Sequence, residues 1–130
     1  MPLELKLLGW STALAFVQMV VAASAATLQV GLPMLAGNRD SFPRFSGWAG
    51  RAQRAHFNML ESLLLFAALV LIAQVTNRLN PTTALGAQLF FWARLVYAGV
   101  YIAGIPWLRT AVWAVSVVGL VLIFFQLPVF

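Results

Sequence analysis

The chain contains no cysteine, one histidine and three acidic residues, and charged residues of either sign make up 8% of it. Without cysteine there is no disulfide, no thiolate metal site and no cysteine nucleophile. One histidine and no HExxH pattern leave metal catalysis without a ligand set, and no metal is expected. Neither a GxSxG nucleophile turn nor a GxGxxG or P-loop phosphate cradle occurs, which argues against a serine hydrolase or a nucleotide enzyme. The low charge also excludes an ordinary soluble domain, in which charged residues are about 25%. A net charge of +5 would suit nucleic acid if it formed a basic patch, but the basic residues are dispersed, and no nucleic-acid partner is expected.

Apolar sequence fills the space. Hydrophobic residues make up 62% of the 130 positions, and the mean hydropathy is +0.91. Four runs can be marked off, at about 5–33, 48–76, 82–104 and 107–127, each long enough to span a bilayer that requires about 20 residues. The expectation is one all-α integral membrane domain over 1–130, a four-transmembrane-helix bundle embedded in lipid. The small residues Ala22 to Ala26 resemble a signal-peptide end, but the run is long and is read as a retained span. Pro33, Gly37, Asn38, Asp40 and Pro43 mark a loop, Asn80 and Pro81 break the chain again, and Pro106 stands in a tight link.

Positive charge gives an orientation. Arg39, Arg44, Arg51 and Arg54 gather at the first loop and the head of the second span, and Arg109 follows the third span. The other side has only Lys6 and Arg78. The positive-inside tendency then turns the first and third loops to the cytoplasm. Short loops and the lack of a lysine-rich C-terminal signal favour a bacterial inner membrane.

Polar chemistry lies inside this apolar frame. At about 100° per residue, Arg51, Arg54, Asn58, Glu61 and Ser62 fall within an arc of about 100° on the second helix, while His56 projects from another face. In the third span Arg94, Tyr97 and Tyr101 share an arc of about 60°. Ionisable residues at membrane depth normally face a protein interior or a wet cavity and mark function. Similar depths for Glu61 and Arg94 lead to the expectation that they form a buried ion pair within one subunit.

The run RAQRAHFNMLESLLLFAALV followed by ARLVYAGVYIAGIPWLRT resembles the MAPEG family, the membrane-associated proteins in eicosanoid and glutathione metabolism. The similarity covers about Asn38 to Trp113. It implies a four-helix subunit, a homotrimer, and a cytoplasm-facing site between subunits that takes glutathione as co-substrate. Arg54, Asn58 and Glu61 match positions that hold the peptide's polar groups, with Arg51 and Arg94 beside them. Tyr97 and Tyr101 match the third-helix wall, His56 the position that reaches the adjacent subunit, and Arg109 the arginine beside the thiol, with Thr110 as an additional hydroxyl. The family's first-helix arginine has no counterpart in ATLQVGLPML, and Arg39 or Arg44 is the available substitute.

Such residue types suit glutathione, which has two carboxylates and one ammonium: guanidinium groups for the former, a carboxylate for the latter. The function this implies is conjugation of the glutathione thiolate to a lipophilic small-molecule electrophile, with peroxidase activity as a related option. The alternative is a non-catalytic membrane scaffold that binds a lipid or small thiol ligand.

Overall fold

A computed structural model describes residues 1–37 and 45–129, the side chain of Met34 excepted. Arg39 and Arg44, and with them the proposed substitute for the missing first-helix arginine, lie outside the described residues.

Among the described residues five helices follow one another: α1 Leu3–Val30, α2 Leu32–Ala36, α3 Gly47–Val75, α4 Pro81–Ala103 and α5 Pro106–Phe124. All but α2 are long and apolar enough to cross a membrane. The first run was expected to continue to Pro33, but α1 stops at Val30 and a short helix restarts at Leu32. Pro33 explains the break. A proline inside a helix removes a backbone donor and clashes with the preceding turn, whereas in the first turn of a new helix it is tolerated.

The other helix ends also have local causes. Asn80 caps α4, its side chain accepting from the N–H groups of Thr82 and Thr83 while the Thr83 hydroxyl accepts from the Asn80 N–H; this reciprocal cap starts the helix sharply. At the other end of α4, Gly104 adopts the left-handed conformation (φ 81°, ψ 36°), which a residue with a Cβ adopts only under strain. This turn and Pro106 reverse the chain and lay α5 back along α4. The two helices touch at Gly86 and Gly119, where a Cβ on either would stand 2.5–2.6 Å from the carbonyl oxygen of the other. Small residues allow this close approach in a membrane bundle.

The core is formed by Met59, Phe66 and Val70 of α3, Phe90 of α4, Ile123 of α5 and Leu7 of α1, with Phe66 and Phe90 stacked at 4.1 Å. Outward-facing large apolar side chains remain exposed on every long helix, as expected where lipid replaces water. The helices alternate in direction, so the bundle has two ends. The terminal end contains the start of α1 and the finish of α5, where Glu4 meets Thr83 and Asn80 meets Gln126. The arginine end contains the start of α3 and the α4–α5 turn, where Arg51 meets Ile102.

Candidate functional site

The geometry of α3 decides which polar residues reach the interior. Its buried stripe includes Ala52, Ala55, Met59, Phe66, Val70 and Ala73. The polar arc lies beside this stripe, and at about 100° per residue Asn58 is nearer to its centre than Glu61 is. Asn58 is accordingly half-buried and Glu61 exposed.

Arg94 enters from α4 and is 1% exposed. Its Nη2 donates to Asn58 Oδ1 at 2.7 Å, and its guanidinium carbon stands 4.2 Å over the Tyr97 ring. The expected Glu61–Arg94 ion pair does not form. Glu61 lies at the far edge of the arc, turned out of the bundle, and the neutral amide of Asn58 takes its place. Arg94 Nε and Nη1 are buried with no hydrogen-bond partner. A guanidinium so placed is unusual, since buried cations are normally paired and fully hydrogen-bonded.

Around this pair the structure assembles most of the other residues singled out. The rings of Tyr97 and Tyr101 lie 5.5 Å apart, tilted by 54°. Arg54 Nε donates to the Tyr101 hydroxyl at 3.2 Å, and the Arg109 guanidinium carbon lies 4.7 Å over the ring of the same tyrosine. Arg51 Nε donates to the Ile102 carbonyl at 2.9 Å and packs against Gly104, fixing the start of α3 to the α4–α5 turn. Thr110 Oγ1 donates to the Pro106 carbonyl at 3.2 Å. Asn58, Tyr97, Arg109, Thr110 and Trp113 line one cavity of about 170 Å³.

Three guanidinium groups, those of Arg94, Arg54 and Arg109, thus converge on two tyrosine rings and one amide, with Arg51 on the Ile102 carbonyl, and among the described residues none of the four has a carboxylate partner. Such a set of donors, partly desolvated and in excess of its acceptors, has the chemistry to hold an anion.

Two residues fall outside it. His56 faces α1, in a separate cavity of about 240 Å³ with Met19, Ala22, Ala26, Gln53 and Phe57, and its Nδ1 is buried without a partner. Glu61 points away. Trp113, not among the residues singled out from the sequence, belongs to the cavity wall. Its position four residues after Arg109, one helical turn on the same face, is the signal that marks it.

A model of the MAPEG family matches residues 7–128. No curated protein and no solved structure matches the chain.

Proposed function

The chain belongs to the MAPEG family, and from that premise we propose that this multi-pass membrane protein is a glutathione-dependent transferase acting on a lipophilic electrophile. The observation that carries the reading is the buried Arg94 guanidinium, two of its nitrogens unpaired, whose two contacts, Asn58 and Tyr97, line a cavity. An anionic tripeptide supplies what that group lacks. Arg94, Arg54 and Arg51 are assigned to the carboxylates, Asn58 to the peptide backbone, and Tyr97 and Tyr101 to the wall against which the peptide lies.

Arg109 is assigned the catalytic part. The thiolate is the nucleophile, and a guanidinium beside the sulfur favours the deprotonated form. The thiol proton leaves to solvent, a sulfur lone pair forms the new carbon–sulfur bond, and the electrophile's leaving group departs with its electron pair. Thr110 adds a hydroxyl near the sulfur once it turns from Pro106. The apolar partner enters laterally from lipid.

A cavity of about 170 Å³ is small beside ligand pockets of about 300–1,000 Å³. This supports a site completed by a second copy in a homotrimer, to which Glu61 and His56 contribute: Glu61 to the peptide ammonium, His56 across the seam. The distribution of arginines supports a site facing the cytoplasm.

Titration calorimetry of glutathione into the purified protein in detergent, with thiolate formation followed by ultraviolet absorbance, tests the reading. Binding accompanied by a thiolate signal is the expected result. Binding without that signal, and without turnover of any electrophile in a broad panel, would establish the scaffold alternative. Absence of binding would refute both glutathione assignments.

A further inference from the structure

The terminal end of α1 has an arrangement that the glutathione reading does not use. Two apolar grooves run side by side there. One, of about 340 Å³, lies between α1 and α4 and is walled by Leu3, Leu7, Phe91 and Trp92. The other, of about 400 Å³, is a furrow along α1 itself, beside Leu5, Gly9 and Ala13. Lys6 and Trp10 border both. Gly9 gives the furrow its depth, since a Cβ built there meets nothing within 4 Å.

Charge at this end is unbalanced. Lys6 and Arg78 are exposed, while Glu4 is 5% exposed and accepts from Thr83 Oγ1 at 2.6 Å. Two residues along a helix are about 200° apart, so the Glu4 carboxylate and the Lys6 ammonium point in nearly opposite directions. Among the described residues the Lys6 ammonium has no hydrogen bond or ion pair.

Depth matches a headgroup. A helix of 28 residues is about 42 Å long against a hydrocarbon core of about 30 Å. Its second turn therefore lies near the lipid–water boundary, with Trp10, 65% exposed, one turn deeper.

We infer that the Lys6–Trp10 face binds one anionic diacyl phospholipid, its phosphate at the Lys6 ammonium and its two acyl chains in the two grooves. One cation on the ridge between two apolar channels matches the form of that molecule: one charged head and two tails. Trp10 is the wedge that parts the chains.

The test is native mass spectrometry of the full chain in neutral detergent with equimolar dioleoyl phosphatidylglycerol and dioleoyl phosphatidylcholine. Wild type should retain the anionic lipid about fivefold over the zwitterionic one, the worth of one lysine at an anionic lipid surface. Lys6→Gln should reduce that ratio to near unity. Gly9→Leu fills the furrow and improves helix propensity, so it should weaken retention of the diacyl lipid while monoacyl lysophosphatidylglycerol binds as in wild type. A preference that survives Lys6→Gln, or a Gly9→Leu effect equal on one-chain and two-chain lipids, overturns the proposal. So does Lys6 protected from an amine-modifying reagent in lipid-free protein, which would mean that a second copy covers this face.

Discussion

The two ends of the bundle handle buried polarity in opposite ways. At the terminal end, Glu4, Thr83, Asn80 and Gln126 form a closed chain: Thr83 donates to Glu4, Asn80 receives the N–H groups of Thr82 and Thr83, and Asn80 Nδ2 donates to Gln126 at 2.9 Å. It ties α1, α4 and the segment after α5 together. At the arginine end, Arg94 is more deeply buried than Glu4, yet two of its nitrogens have no partner. A satisfied network holds a fold, because breaking it strands a desolvated group. An unsatisfied one weakens the isolated chain and is justified only by what later binds to it. The difference fits a structural role for one end and the proposed binding role for the other.

The sharpest way to separate the two is through chemistry. Arg109→Ala should lower the turnover of a model electrophile by about 10²-fold, the usual loss when a preorganised charge is removed from a developing anion. Glutathione affinity should change far less, because the interaction is strongest with the ionised sulfur. Steady-state kinetics across glutathione concentrations checks this, and an equal loss in binding and rate would make Arg109 a carboxylate anchor.

Arg94→Met should lower glutathione affinity by about 30-fold, in line with about 2 kcal/mol for hydrogen bonds to a charged group. Denaturation of the ligand-free protein should show no loss of stability, since replacing a buried ion by an apolar side chain of similar size is often neutral or stabilising. Half-buried Asn58 keeps access to water when its donor is removed. A variant that unfolds more easily would show that the cation belongs to the fold and would end the contrast between the two ends.

The failed Glu61–Arg94 pair shows where sequence reading stops. Hydropathy is enough to mark four spans, and Asn80–Pro81, Gly104 and Pro106 mark their ends, because those signals are local. The polar arcs of α3 and α4 were legible too, since helical period is a property of one helix. The rotation of each helix about its axis is set by packing partners far away in sequence. Met59 and Phe66 turn α3 so that Asn58, rather than Glu61, meets α4. Likewise Trp113 and the inward face of His56 depend on which neighbour each helix selects. Composition gave no sign that Glu4 is a clasp, because only the fold brings it to Thr83, 79 residues away.

The terminal clasp should yield a smaller but purely structural effect. Thr83→Val keeps the shape and removes the hydroxyl, leaving the Glu4 carboxylate buried without its donor, and should cost about 2 kcal/mol. Glu4→Leu in the same chain should restore the part of that loss due to the stranded carboxylate, while the part due to the Asn80 N–H that loses its acceptor remains. Conjugation by the folded fraction should stay at the wild-type rate. A fall in that rate would mean that the two ends are coupled.

Glu61→Gln gives the smallest expected change in stability and still decides between two pictures of α3. Were Glu61 the partner of Arg94, removing its charge would break a buried pair and cost about 3–5 kcal/mol. Exposed and unpaired in the single chain, it should instead alter stability by no more than about 0.5 kcal/mol. Its proposed role lies with the peptide ammonium, so glutathione affinity should fall while the unfolding midpoint stays in place. Desamino-glutathione, which lacks that ammonium, supplies the control: wild type and Glu61→Gln should bind it alike. A large loss of stability would restore the ion pair, and equal weakening toward both peptides would remove Glu61 from the ammonium.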